Sequence, residues 1–406
     1  MYVMRKIYLL LAAIAFSGFV TAQESNPQIN FSGFVGYELF YDTYESVNSR
    51  DGEVYLYPLP ANLDVNDNDL NKNSQIEMLS LSSRIRLGAT GFKALGGDVS
   101  GLIETDFLGT GQPYTRMLRL RHAIIKVNWE SGELLMGQYW HPMFVTSCFP
   151  STIAFGAGVP FHPLNRAPQI RYTHNLTGNL TAAGALLVHG YHRSSGPVDA
   201  QVNSGIPDMQ MQVIFDNKTF LAGFTAGYKV LKPRLQTVLN EKTDQTIGSF
   251  NLQAFTKISF SNFEWKVEGV FGENLTNFVM IGGYGAAENP VFEPDYTYTN
   301  IRTMSAWTDF KTKLDGFNFG IFGGYAANLG AKEEYFSLGY DRGEDIANIF
   351  RISPRITYST GKMRFALEHM MTGATYGTQF DDNQKATETD DPTINHRFLV
   401  TARLNF

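Results

Sequence analysis

The last eleven residues form a segment with two opposed faces. Over His396–Phe406, the side chains of Phe398, Val400, Ala402, Leu404 and Phe406 fall on one side of an extended backbone, and Arg397, Thr401, Arg403 and Asn405 on the other, since successive strand residues point to opposite faces. The same period recurs far from the C-terminus. Leu79, Leu81, Ile85 and Leu87 oppose Ser80, Ser82, Arg84 and Arg86, and Phe263, Trp265, Val267 and Phe271 oppose Glu264, Lys266 and Glu268. A period of two belongs to half-buried strands and not to helices. It predicts strands over 29–41, 77–89, 98–107, 116–128, 133–140, 168–174, 179–189, 208–215, 219–230, 248–260, 262–272, 301–311, 316–327, 346–358, 362–371 and 396–406, sixteen in all.

The connections are as informative as the strands. Those after even-numbered strands are short and rich in turn formers, such as Lys93-Ala94-Leu95-Gly96-Gly97, Glu130-Ser131-Gly132 and Ser359-Thr360-Gly361. Those after odd-numbered strands are long (42–76, 141–167, 190–207, 231–247, 273–300, 328–345, 372–395), with 108–115 the one short exception. Outer-membrane barrels have an even strand count, short periplasmic turns and long outside loops. The expected fold is therefore all-β: a transmembrane antiparallel β-barrel of about sixteen strands, one domain over 23–406, with both termini on the periplasmic side. Only 43% of residues are hydrophobic, yet 14% are aromatic and 38 are Gly. That mixture suits a barrel with a polar lumen and aromatic girdles.

Residues 1–22 read as a secretory signal peptide. Arg5 and Lys6 precede an apolar run from Ile7 to Val20, and Val20-Thr21-Ala22 supplies the small residues of a cleavage site. Export and the barrel pattern together place the chain in the outer membrane of a Gram-negative-type envelope. The net charge of −6 lacks the basic footprint of a nucleic-acid binder. The single Cys148 excludes an internal disulfide and is expected to be a packed residue rather than a reactive thiol.

A barrel of sixteen strands is wide enough for an aqueous channel unless loops fill it. The loop over 141–167 is the expected constriction. Its run of His141-Pro142-Met143-Phe144, Cys148-Phe149-Pro150 and Phe155 to Pro163, with His162 near its end, is too apolar for a solvated loop. Parity turns Arg84, Arg86, Arg119, Arg121, Arg171, Lys257, Lys266, Arg351, Arg355, Arg364, Arg397 and Arg403 inward, against Glu38, Glu104, Asp106, Glu264, Glu268 and Glu368. Rings of Arg and Lys favour anions; the competing reading is that these bases pair with the acids and only hold the wall. The lining expected near the constriction comprises Arg84, Arg86, Glu104, Asp106, Arg119, Arg121, Arg171, Arg351, Arg355, Arg403, His141 and His162. The fourth strand breaks the alternation, because Leu118 and Leu120 share a face with His122 and Lys126. Either a β-bulge shifts the register there or that wall faces another protein.

Asp64-Val65-Asn66-Asp67-Asn68-Asp69 lacks the Gly and Glu of a calcium loop and reads as a solvated outside loop. No nucleophile-elbow or zinc-hydrolase motif is present. The chain is therefore expected to be no enzyme and to need no cofactor or metal. The function that follows is passive diffusion of small hydrophilic solutes through an outer-membrane porin, with a preference for anionic or carboxylate-bearing ones. The alternatives are a plugged surface barrel acting as an adhesin or, further off, a barrel phospholipase.

Three segments resemble the DcaP-like family of outer-membrane porins: Glu104-Thr105-Asp106-Phe107-Leu108-Gly109, Leu118-Arg119-Leu120-Arg121-His122-Ala123 and Gly137-Gln138-Tyr139-Trp140. The resemblance spans roughly residues 76–170. It implies a trimeric, sixteen-stranded channel for small anionic solutes, with Glu104, Asp106, Arg119 and Arg121 beside the constriction. Family members can carry a helical segment after the signal peptide; here Ile29 enters the first strand at once. A trimer would then be held by walls and loops, with His122 and Lys126 as outward polar residues at its interface.

Overall fold

The computed structural model describes residues 26–406, so the signal-peptide reading lies outside the described residues. Sixteen strands form the wall: β1 Gln28–Asp42, β2 Gln75–Leu79 continued as Arg84–Ala94, β3 Gly97–Asp106, β4 Arg119–Trp129, β5 Gly132–Trp140, β6 Arg166–Asn175, β7 Leu180–Leu187, β8 Asp208–Asp216, β9 Phe220–Leu231, β10 Ile247–Ser259, β11 Phe263–Glu273, β12 Tyr298–Thr312, β13 Phe317–Asn328, β14 Ile346–Thr360, β15 Met363–Phe380 and β16 Thr393–Asn405. Each pairs antiparallel with the next. β16 returns to β1 in a register running from Phe34↔Asn405 to Asp42↔Arg397. The C-terminal segment is thus the seam that closes the barrel, and closure leaves no strand edge to be satisfied.

Short turns cluster at one rim and long loops at the other. The turn between β2 and β3 places Leu95 at φ 54 and Gly96 at φ 73, the left-handed pair that matches the twist of a tight hairpin. The outward face carries the apolar residues expected of it. Phe398, Val400, Leu404 and Phe406 are 42–45% exposed, whereas inward Arg397 and Leu399 are almost fully buried. Aromatic side chains encircle the short-turn rim in contacting pairs: Phe31 with Phe406 (ring centroids 5.6 Å), Phe260 with Phe263 (4.5 Å) and Phe317 with Tyr358 (4.6 Å). Such girdles sit where a bilayer meets water.

The irregularity in β4 is a bulge. Glu104 pairs with His122 but the next residue, Thr105, pairs with Leu120, so Arg121 is the extra residue. The bulge turns Arg121 and His122 inward together. His122 is 3% exposed beside Glu104, and Lys126 Nζ pairs with Glu133 Oε2 at 2.7 Å. This corrects the expectation that His122 and Lys126 point outward toward a partner subunit.

Part of the first long connection also enters the lumen. Ser46–Ser49 and Val54–Pro58 pair as a hairpin, called L1 here, whose Tyr55, Leu56 and Tyr57 are buried. The sequence offered only an outside loop here. At its tip the Glu53 carboxylate is buried with no hydrogen-bond partner among the described residues. Burial, then the neighbouring Glu38, holds its proton affinity well above the ordinary carboxylate range. The folded state therefore binds a proton that the unfolded chain releases, and L1 docking weakens as pH rises through that window. Proteolysis within residues 46–58 should accelerate from acid toward neutral pH, and a Glu53→Gln variant should abolish that dependence.

Candidate channel neck and its vestibules

The third outside loop, L3 (residues 141–165), crosses the lumen along a series of inward wall groups. Lys257 Nζ and Lys266 Nζ donate to the carbonyls of Ser147 and Phe149, each at 2.9 Å. Ser151 N donates to Asp309 Oδ2 (2.9 Å), and Ile153 N and Ala154 N share Glu368 Oε2 (2.7 and 2.8 Å). His162 Nδ1 lies 3.0 Å from Glu268 Oε1. Phe161 packs over Gly324 of β13, where a Cβ would stand 2.6 Å from the ring. Trp140 stacks on Phe144 with centroids 3.7 Å apart. Cys148 is fully buried, its Sγ 3.4 Å from Thr256 O, and burial pushes its thiol up to about 12. A thiol held protonated and out of reach is a packing residue.

Opposite L3, the arginines of β2 and β4 converge on two acids of β3. Asp106 receives Arg119 Nε at 2.6 Å and Arg121 Nη1 at 2.8 Å. Glu104 receives Arg121 Nε at 2.8 Å and Arg86 Nε at 2.9 Å, with Arg84 Nε 3.6 Å away. Asp106 and Glu104 are at most 1% exposed. Removing one member leaves buried charge uncompensated, so Asp106→Asn should lower stability by about 3–5 kcal/mol. An unchanged urea midpoint for the folded barrel in detergent would show instead that water already screens the cluster.

Two cavities flank this region. The lower one, of about 1100 Å³, opens toward the short-turn rim and is lined by Arg84, Lys266, Lys311, Lys313, Arg364 and Arg403, among others. The upper one, of about 210 Å³, lies under the long loops and is lined by Arg50, Arg119, Arg166, Arg193, Arg342 and His192. Phe155, Leu164 and Arg166 line both, so the neck runs between Arg166 and L3. Arg166 is 1% exposed, with its guanidinium 4.6 Å from the Trp140 ring.

The expected lining residues divide between these places. Arg84, Arg121, Arg355 and Arg403 reach the lower cavity and Arg119 the upper one. Glu104, Asp106 and Arg86 form the ion-pair cluster behind the neck. Arg171 lines neither cavity; its Nε bonds Gln169 Oε1 at 2.9 Å, and it also contacts Trp140 O. Arg351 is buried behind L3, and His141 anchors the loop's start 3.4 Å from Asp208 Oδ2. His162 anchors its end and, with His141, stands apart from both cavities.

Arg166, Arg50, Arg193 and Arg342 went unseen in the sequence. Arg166 has the parity of Ile170 and Tyr172, which face outward. Alternation would have sent it outward, yet it lines both cavities. The other three sit in long loops, where no period guides assignment.

A closed sixteen-stranded antiparallel barrel, here with its third outside loop laid across the lumen, has the fold of porin structures. Solved structures that share it include the outer membrane channel DcaP of Acinetobacter baumannii, at 14% identity over 95% of this chain and 100% of that one, with a TM-score of 0.67. The outer membrane protein OmpT of Vibrio cholerae follows the same course at 12% identity, over 95% and 100% of the two chains, with a TM-score of 0.57. An anion-selective porin from Comamonas acidovorans does so at 10% identity, over 94% and 100%, also with a TM-score of 0.57. No protein-family model and no curated protein matches the chain by sequence.

Proposed function

We propose that this chain is an outer-membrane porin through which small hydrophilic solutes diffuse passively, with anionic, carboxylate-bearing solutes preferred. The observation that carries the reading is the charge of the lining. Nine Arg or Lys side chains and three acids line the lower cavity. Among the described residues, five Arg and no acid line the upper one. A net negative chain with a positive lumen places cations where they act on passing solutes. Their field lowers the barrier for anions and raises it for cations, and the planar guanidinium fork matches a carboxylate.

No bond is made or broken in this mechanism: the wall supplies a water-filled path, and L3 sets its width. The apolar belt and aromatic girdle fit an outer-membrane bilayer reached through a cleaved signal peptide. The assembly is a homotrimer of barrels joined through outward walls. The likeness to a channel and to an anion-selective porin supports the reading at the level of the fold.

The test is the reversal potential of refolded protein in a planar bilayer under a salt gradient. Stepwise conductance with an anion-selective sign is the expected result. A cation-selective sign would remove the anion preference and leave the porin. Folded protein that passes no current would instead favour a plugged barrel that serves as an adhesin. Mass measurement in detergent should give three copies per particle.

A further inference from the structure

We propose that His369 and His396 form a metal-ion site on the outer wall of the barrel, with copper the ion it suits best. The inference is independent of the channel reading. The outward face of β15 and β16 is apolar along most of its length, with Phe365, Leu367, Phe398, Val400 and Leu404 exposed on it. Two imidazoles interrupt it. His369 shares the parity of Leu367, and His396 that of Phe398, so both leave the wall on the bilayer side. His396 lies ten positions from Phe406 along the chain. A strand rising about 3.3 Å per residue at a tilt of about 40° covers roughly 25 Å over that length, the height of the apolar band. Phe406 stands in the girdle at the short-turn rim. The pair therefore stands at the opposite, outer interface, part-buried and within reach of dissolved ions.

His369 Nε2 faces His396 Nδ1 at 3.0 Å. The ring centroids are 5.3 Å apart and the planes within 8° of each other. With the nitrogens this close, the rings meet edge to edge in nearly one plane, and their lone-pair positions converge on one point. Without metal, one ring donates its N–H to the other. A neutral imidazole carries its proton on either nitrogen, so a shift to the far nitrogen of the donor ring bares both facing nitrogens with no proton lost. Metal–imidazole bonds of about 2.0–2.1 Å at a tetrahedral angle set two nitrogens about 3.3 Å apart, so an ion enters with a small widening and a turn of each ring. Phe398 holds the first ring in place, its centroid 4.7 Å from that of His369 and its plane 16° away. The donor set selects the ion. Imidazole suits copper, zinc and nickel, and a thioether favours copper among them. Met371 stands directly across from His396 in the strand register, where facing Cβ atoms are about 5 Å apart, so its Sδ can reach an ion held by the pair. No larger group of His, Cys, Asp and Glu forms a metal cluster among the described residues, which leaves the remaining coordination positions to water.

The test titrates the refolded full barrel, in detergent and chelator-free buffer, with Cu(II), Zn(II) and Mg(II), and follows copper by electron paramagnetic resonance. The expected result is saturable uptake of one Cu(II) per chain with splitting from two nitrogens, about tenfold or more tighter than Zn(II), and no uptake of Mg(II). His369→Asn and His396→Asn should each weaken copper binding by about tenfold or more. Both side chains face outward, so the variants should stay heat-modifiable on gels, and either one serves if the other fails to fold. Met371→Leu resolves the third position: weaker binding assigns the thioether as a ligand, and unchanged binding assigns water; both support the site. Copper uptake that does not saturate, that shows no nitrogen splitting, or that is indifferent to both histidine substitutions would overturn the proposal.

Discussion

Replacing residues 147–158 with a Gly/Ser segment of equal length should raise single-channel conductance several-fold and flatten ion selectivity toward that of bulk salt. The length is kept, so the chain still spans the lumen. The replacement removes the apolar side chains that seat L3, including Phe149 and Phe155, and so frees the main-chain N–H groups at 151, 153 and 154 from the packing that aims them at Asp309 and Glu368. A Gly/Ser segment behaves as flexible coil and no longer holds one side of the neck against Arg166. The wall itself should persist, since its backbone ladder involves none of these residues. Conductance that stays at the wild-type level while the barrel remains folded would mean that another element, such as the L1 hairpin, sets the width.

Arg351→Ala is expected to release both inward elements at once. Its guanidinium donates to Val159 O of L3 and Leu56 O of L1, each at 2.7 Å, and to Thr372 Oγ1 of β15 at 2.8 Å. It also lies 4.9 Å from the centroid of the Tyr55 ring and 5.3 Å from that of Phe161. Hydrogen bonds to a charged group contribute about 1.5–3 kcal/mol each. Losing three, with two carbonyls left in a buried setting, should shift L1 and L3 from a single docked arrangement to several. The readouts are current traces that flicker between conductance levels and protease cleavage within residues 46–58 and 147–158, while the barrel stays heat-modifiable on gels. Steady traces and unchanged cleavage would show that apolar packing alone seats the two elements. Arg351→Lys should restore only part of the effect, because an ammonium cannot hold three acceptors in the plane of a fork.

The barrel was legible because its determinants are local. Period-two alternation tells which residues of β2, β11 and β16 face outward, and the parity of loop lengths tells which rim is which. The ion-pair cluster was half legible. Parity turned Arg84, Arg86, Glu104 and Asp106 inward, but did not show that Arg119 and Arg121 spend their charge on those two acids. Pairing across strands depends on lateral register, and the bulge at Arg121 resets that register within one strand. His122 and Lys126 were misassigned for the same reason. Arg166 eluded the pattern because it shares the parity of outward Ile170 and Tyr172 yet lines the lumen cavities. Arg50, Arg193 and Arg342 eluded it because loops carry no period.

By itself, then, the sequence determined that this chain makes sixteen alternating strands with short turns on one rim, long loops on the other and an aromatic belt outside. Strand alternation is written within about ten consecutive residues, and the rims follow from simply reading loop lengths in chain order. Only the tertiary structure decided which inward arginines are neutralised and which stay free, that the L1 hairpin joins L3 in the lumen, and that the free charges gather above the neck. These outcomes depend on residues hundreds of positions apart, such as Arg351 and Leu56, coming within hydrogen-bond reach. No local pattern encodes that, because it is set by closure of the sheet and by loops packing across it.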